Sequence, residues 1–214
     1  MPEPVKGKTE AGRRREERAR QRRQRIVAAA RELFLGRGYI ATTIEEIARV
    51  AGVAPATVYQ AFGSKQAILA RVLDVTIAGD QEPGALLERD WVSQARQQPS
   101  PQRRLALVVG RAAEVAARTA ALKEVMRDAA AADPVMRELI GQDHDRRYLT
   151  HQALVDIAID GAALRPGCTR EHAVSTFYAL VNSHSYLVLA GHLGWRLPDW
   201  QEWLTGVLSR EFFG

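Results

Sequence analysis

Apolar residues recur at helical spacing along the chain, and the clearest short pattern lies between residues 43 and 65. Its first apolar face has positions i, i+3, i+4 and i+7 and consists of Ile44, Ile47, Ala48 and Ala51. A second short apolar face follows at Val58 and Phe62. The pattern predicts two short helices in succession.

The residues at the ends of these two predicted helices favour helix starts and stops. Thr43 and Glu46 have the separation of a capping box. Gly52 follows the last apolar position, where a left-handed helix end favours glycine. Pro55 suits the first turn of the next helix, because the N–H that it lacks would have no partner there. A helix, a glycine turn and a short helix form a helix-turn-helix, whose second helix enters the major groove of DNA.

The residue pattern of this motif resembles the DNA-binding domain of the TetR family of bacterial transcriptional regulators over about residues 20–75. The matching features are Thr43, the turn from Ile47 to Val53, Thr57, Tyr59, Phe62, Lys65 and Leu69. Alanine is abundant and runs of β-branched residues are few, which favours helices. We therefore expect an all-α fold, with an N-terminal three-helix helix-turn-helix domain and a C-terminal helical domain for ligand binding and dimerisation.

The second motif helix has no Lys or Arg from Ala54 to Ala61, so base contacts would come from other side chains. Thr57 and Gln60 are the polar candidates, and Gln60 has the geometry for two hydrogen bonds to adenine. Pro55 and Ala56 would contact thymine methyl groups.

The resemblance implies that Tyr59 and Lys65 contact backbone phosphates. Lys65 also lies at a predicted helix N-terminus, which favours an anion. The alternative for Tyr59 is a partly buried aromatic brace. Thr43 completes the candidate DNA-binding residues of the motif.

Positive charge is concentrated in the part of the chain that carries the motif. Residues 1–80 contain 15 Lys and Arg against 9 Asp and Glu, a net charge of +6, whereas the remainder carries −1. Eight arginines lie between residues 13 and 25, and Arg13, Arg14 and Arg15 are candidate DNA contacts. This run is either a solvated tail that leads into a helix or an arm that neutralises phosphates or enters a minor groove.

The pattern predicts a tail followed by two domains. We expect disorder in residues 1–12, a DNA-binding domain with its linking helix in 13–77, and a regulatory and dimerisation domain in 84–214. The predicted helices are about 20–35, 43–51, 55–62, 64–77, 85–97, 101–119, 122–132, 134–164, 170–190 and 198–212.

Helix 170–190 has two faces that would avoid solvent, so one would pack on its own domain and the other on a partner. The family resemblance implies a homodimer through the last two helices, and the alternative is an ordinary monomer core. The candidate interface residues are Phe177, Leu180, His184, Leu187, Trp203 and Val207. A two-fold dimer would present its motif helices to successive major grooves, so the DNA partner would be a palindromic operator.

An effector pocket would lie among the helices 102–119, 134–164 and 170–190. The candidates are Tyr148, His151, Tyr178 and Asn182, and the alternative for each is a satisfied polar group of the core. Since polar candidates are few, the small-molecule effector is expected to be largely apolar.

Other kinds of chemistry find little support in the sequence. His144 and His151 lie about 10 Å apart along a helix axis, too far to share one metal ion. No nucleophile motif, phosphate loop or dinucleotide fingerprint is present, so we expect neither catalysis nor a cofactor. The single cysteine, Cys168, excludes an intramolecular disulfide. No apolar run reaches the roughly 18 residues of a membrane span, so we expect a cytoplasmic protein without a membrane partner.

The sequence thus predicts a TetR-like regulator, a repressor that a small molecule releases from its operator. Two alternatives stay open at this point. One is a non-specific architectural DNA-binding protein that relies on the arginine run. The other is a helical small-molecule-binding protein without a role on DNA.

Overall fold

All the regular secondary structure in the described part of the chain is helical. The computed structural model describes residues 10–79, 87 and 90–214. In chain order the elements are α1 Glu10–Ala41, α2 Ile44–Ala51, α3 Pro55–Phe62, α4 Lys65–Ala78, α5 Asp90–Arg96, α6 Pro101–Ala132, α7 Pro134–Ile159, α8 Arg170–Leu180, α9 Ser183–Tyr186, a π-helix Leu187–His192 and α10 Leu197–Phe213. The all-α prediction is confirmed.

The chain divides into two compact units between Val72 and Leu73, inside α4. The core of the first unit comes from α1, α2, α3 and the first half of α4. Its fully buried side chains include Ile26, Phe34, Ile47, Val58, Ile68 and Leu69. Since α2 and α3 have only eight residues each, their stability depends on this burial.

Helix α1 is longer than the sequence pattern predicts. It begins at Glu10, three residues inside the segment predicted as a tail, and residues 1–9 lie outside the described residues. Arginine, glutamate and alanine dominate this added part, and all three are good helix formers. The predicted stop at Gly38 is a kink, where φ is +78° and ψ is 170°.

The second unit is built around α6, which packs against α7, α9 and α10. Its core includes Leu105, Val155, Phe177, Trp200 and Phe212. The prediction of two helices in 101–132 is wrong, because α6 continues without a break. The part of α6 between residues 119 and 122 has no glycine or proline to interrupt it.

The prediction of one helix from 170 to 190 is also wrong, because α8 ends at Leu180. Asn182 has extended backbone angles, and its side-chain oxygen accepts a hydrogen bond from Ser185 N at 3.0 Å. An asparagine that caps a new helix competes with continuation of the old one. The chain therefore restarts as α9 and passes into the π-helix.

Arginine side chains from other elements satisfy the carboxyl ends of two helices in this unit. Arg104, which is buried, donates to Ala158 O at 3.1 Å and Asp160 O at 2.6 Å, beyond which the chain turns at Gly161. Arg165 donates to Glu211 O at 2.6 Å near the end of α10. Each guanidinium supplies donors to carbonyl groups that have no partner within their helix. The cap from Arg104 fixes the end of α7 at Ile159, before the predicted Leu164.

Candidate functional site

The corner between α2 and α3 has the geometry that its sequence predicts. Thr43 Oγ1 accepts from Glu46 N at 3.1 Å, and a Glu46 carboxylate oxygen accepts from Thr43 N at 3.1 Å, which confirms the capping box. Gly52 has φ +65° and ψ +43°, and the next amide, Val53 N, donates to Ala48 O at 3.0 Å. These bonds end α2 and fix the direction in which α3 leaves.

Helix α3 lies on the first unit through Val58, which is fully buried. The candidate base contacts Pro55, Ala56 and Gln60 are exposed, and Thr57 is partly buried. Tyr59 is 49% exposed, so about half of its surface is accessible to a partner. One side of α3 is therefore anchored, while the side with the candidate residues faces solvent.

Lys65 holds together parts of the first unit that are distant in sequence. Its Nζ donates to Tyr39 O and to Thr42 O, each at 2.9 Å, and lies 4.2 Å from the centroid of the Tyr39 ring. The ammonium thus satisfies carbonyl groups at the carboxyl end of α1. The predicted phosphate contact of Lys65 stays a prediction, beside this structural role.

The arginines predicted as DNA contacts lie on a helix. Arg13, Arg14 and Arg15 are exposed residues of α1, and Arg14 forms an ion pair with Glu10 one turn away. Successive residues of an α-helix point about 100° apart, so these three side chains do not share one face. Simultaneous contact of all three side chains with DNA is therefore less favourable than it would be on an extended arm.

Three of the four candidate effector residues come together between α7 and α8. The His151 and Tyr178 ring centroids lie 5.5 Å apart, and those of Tyr148 and Tyr178 also lie 5.5 Å apart. Phe177 adds an edge contact to His151 at 5.1 Å. Asn182 differs from the other three, because its amide nitrogen donates to Ala179 O at 2.7 Å and its oxygen caps α9. Nothing in its geometry supports an effector contact.

His151 is a buried histidine without a charge. It is 6% exposed, and its Nδ1 has no hydrogen-bond partner in the described part of the chain. Burial, together with the positive charges of Arg147 and Lys123, lowers the pKa of His151 to about 3. The ring is therefore neutral at neutral pH, with a polar atom left unsatisfied.

Charged side chains beside this aromatic cluster were not among the predicted site residues. Arg147 lies over the Tyr178 ring, with its guanidinium carbon 3.8 Å from the centroid. Lys123 of α6 and Asp143 of α7 form an ion pair at 3.0 Å, with Asp143 buried. Asp143, Arg147 and His151 are spaced four apart, a signal in the sequence that places them on one face of a helix. Nothing in the sequence indicates that Lys123 joins them.

Comparison with known protein families identifies the domain that carries the exposed α3. The family model described as bacterial regulatory proteins of the tetR family matches residues 26–72, which contain the buried part of α1, α2, α3 and half of α4. Residues 26–72 therefore form a TetR-family DNA-binding domain.

Curated relatives match about a quarter to a third of the chain. The uncharacterized HTH-type transcriptional regulator TtgW of Pseudomonas putida is 38% identical over 76 residues, which are 34% of this chain and 57% of TtgW. The match spans less than two thirds of the length of each of these curated relatives.

Solved structures of transcriptional regulators share the fold over nearly the whole chain. NalD of Pseudomonas aeruginosa, the secondary repressor of the MexAB-OprM multidrug efflux pump, matches with a TM-score of 0.66 and 20% identity, over 92% of this chain and 98% of NalD. FadR of Bacillus subtilis, solved with stearoyl-CoA, matches with a TM-score of 0.66 and 18% identity, over 86% of this chain and 96% of FadR. At these identities the likeness shows the fold.

The residues predicted for a TetR-type dimer interface differ in their exposure. Phe177 is fully buried in the core of its own chain, so it has no surface to offer a second subunit, and this part of the prediction is corrected. Its contact with His151 explains the burial. The other five have surface to offer: Leu180, Leu187 and Val207 are partly buried, and His184 and Trp203 are exposed.

The described residues show neither a metal-binding cluster nor a membrane-spanning helix. Among residues 10–79, 87 and 90–214, no three His, Cys, Asp or Glu side chains come close enough to hold a metal ion. Within the same residues, each helix is too short or too polar to cross a lipid bilayer.

Proposed function

We propose that this TetR-family chain is a transcriptional repressor that binds a palindromic operator as a homodimer in the cytoplasm and leaves it when a small molecule binds. The observation that carries the proposal is the exposed face of α3, which a capped helix and a glycine turn hold in helix-turn-helix geometry. A short helix anchored on one side and exposed on the other is suited to the major groove.

The α3 side chains favour recognition without charged contacts to the bases. Gln60 would read adenine through its amide, and Thr57 would contribute a single polar contact. Pro55 and Ala56 would pack on thymine methyl groups, while Tyr59 would donate to a phosphate. These contacts favour an operator rich in A·T pairs at the positions that α3 reads.

The aromatic cluster of Tyr148, His151 and Tyr178 is the proposed effector site. Its rings offer apolar surface, and the unpartnered Nδ1 of His151 offers one hydrogen bond. Arg147 and Lys123 outweigh Asp143 in charge beside the cluster. An effector with a largely apolar body and one polar or anionic group fits this arrangement, because the polar group would pair with His151 or Arg147.

The C-terminal part of α4 contacts α6 and α7, the helices that lie beside or carry the proposed effector site. Arg118 of α6 donates to Thr76 O at 2.9 Å. Arg146 of α7 forms an ion pair with Asp74, with 3.4 Å between Nη1 and Oδ1. A displacement of α6 or α7 by an effector would therefore move this end of α4. An effector that favours one dimer geometry shifts the population away from the DNA-binding geometry, and about 1–3 kcal/mol of coupling suffices.

The test is selection of bound duplexes from a random pool by the full chain at near-physiological salt. We expect one palindromic motif with fixed half-site spacing, and we expect Tyr59→Ala to weaken binding to it. Unenriched sequences, with binding that disappears as salt rises, would instead favour the non-specific architectural protein. Absence of any DNA binding would favour a small-molecule-binding protein. The recovered duplex then serves to screen small molecules by release.

A further inference from the structure

The N-terminal half of α1 carries positive charge beyond the helix-turn-helix. Four arginines stand at positions i, i+4, i+8 and i+11, and we name them the arginine stripe: Arg14, Arg18, Arg22 and Arg25. At about 100° per residue they fall within an arc of roughly 80° on the helix surface. The stripe is about 16 Å long, from 11 steps of about 1.5 Å.

The arginine stripe is not part of the core of the first unit. Burial in α1 begins at Ile26, one residue after the stripe ends, and all four stripe residues are exposed. The last residue of the stripe, Arg25, lies beside the motif corner, because a Cβ built on Gly52 would lie 4.0 Å from Arg25 Nη1. The stripe therefore continues the surface of the α2–α3 turn outward along α1.

Most of the charge on the stripe is not neutralised by the residues that the structure describes. The side chains of Arg18, Arg22 and Arg25 make no hydrogen bond or ion pair with any residue that the structure describes. Among the described residues, only Arg14 of the stripe has a carboxylate partner, Glu10. Glu17 instead pairs with Arg20, which lies about 140° away from the stripe around the helix. A helix with one face of unpaired arginines is complementary to a regular row of anions.

We propose that the arginine stripe binds the phosphate backbone of duplex DNA outside the half-site that α3 contacts. This rests on the proposed function, since it requires α3 to be in the adjacent major groove. An α-helix with side chains is about 10–12 Å wide and the minor groove about 6 Å, so the stripe follows the backbone and does not enter that groove. Along the duplex axis the phosphates of one strand recur about every 3.4 Å, so a stripe about 16 Å long reaches at least three.

The test compares two double variants of the full chain with equal loss of charge. R18Q/R22Q removes two stripe residues, and R20Q/R31Q removes two exposed arginines from the other side of α1. The dependence of DNA affinity on salt is measured on the selected duplex and on a random duplex of equal length. We expect the slope of log K against log salt to become shallower by about 1.8 per protomer for R18Q/R22Q, and to change little for R20Q/R31Q.

The expected result also includes a footprint. Ethylation of phosphates outside the α3 half-site should interfere with binding of the parent chain and not of R18Q/R22Q. Equal salt slopes for the two variants would overturn the proposal. It would also be overturned if R18Q/R22Q lost binding to anionic phosphatidylserine vesicles while its salt slope on DNA stayed unchanged. The random duplex distinguishes failure of the stripe proposal from failure of the proposed function. The difference in salt slope can be measured on that duplex even if selection recovers no operator. Circular dichroism checks that both variants keep their helices.

Discussion

The ammonium group of Lys65 lies 2.9 Å from the carbonyl oxygen of Tyr39 and 4.2 Å from the centroid of the Tyr39 ring. One side chain thus holds the start of α4 against the end of α1, where helix carbonyls have no intrahelical partner. A lysine in this position stabilises the domain whether or not it also contacts DNA. Its two roles are separable, because Tyr59 has a proposed DNA contact without such internal bonds.

Lys65→Met should lower the free energy of unfolding by about 1.5–3 kcal/mol, the usual contribution of a hydrogen bond to a charged group. Tyr59→Ala, at an exposed position, should change it by less than about 0.5 kcal/mol while weakening DNA binding. Urea denaturation followed by circular dichroism measures the first, and titration of the selected duplex the second. A stable Lys65→Met variant that fails to bind DNA would assign Lys65 to phosphate contact alone.

Thr43→Ala should destabilise the first unit by about 1 kcal/mol, because it removes the acceptor for Glu46 N from the capping box. Thr43→Ser keeps the oxygen and should restore most of that loss. Thermal unfolding of the two variants under identical conditions measures the difference. Equal melting temperatures for Ala and Ser would show that the cap contributes nothing at this helix.

The sequence was most informative where short-range hydrogen bonds determine the structure. The capping box at Thr43 and the left-handed turn at Gly52 depend on residues within six positions of each other, and both were predicted correctly. The end of α8 also depends on a local bond, through Asn182, but the apolar spacing continues across it and conceals the break. The charge around His151 could not be predicted in full, since Lys123 reaches it from another helix.

The stability of the protein should fall as pH decreases from about 6.5 towards 4, partly because of His151. Its pKa is about 3 in the folded chain, below the usual value of 6.5, so in this range the unfolded chain binds a proton that the folded chain does not. The loss from this residue amounts to about 1.4 kcal/mol per pH unit, or about 3 kcal/mol by pH 4.

His151→Phe should remove that part of the pH dependence, because phenylalanine keeps the aromatic contacts and does not titrate. Urea midpoints between pH 7 and pH 4 measure it, with exposed His144→Gln as the control that should follow the parent chain. A His151 ring proton that titrates near pH 6.5 in NMR spectra would contradict the assignment. So would equal pH dependence in His151→Phe and the parent chain.

The effector proposal predicts that a compound which releases the selected duplex loses affinity for Tyr178→Ala by at least tenfold. Tyr178 contacts both His151 and Tyr148, so its removal takes away the shared surface of the proposed site. Calorimetric titration of the compound measures the change. Tyr186→Ala removes an aromatic ring that packs on Trp200 and serves as the control. Equal losses in the two variants would mean that the compound binds elsewhere or responds to stability alone.

Trp203→Arg should convert the proposed dimer into monomers and weaken operator binding with it. Trp203 is 37% exposed, and its ring lies 6.1 Å from that of Trp195, so the two indoles form an apolar surface that a second subunit would cover. A buried arginine without a partner would cost the interface several kcal/mol. The matched control is Leu149→Arg, which places the same charge on α7 at a residue that is 63% exposed and outside the predicted interface. Sedimentation should give a monomer mass for the first variant and a dimer mass for the second, whereas a dimer in both would place the interface elsewhere.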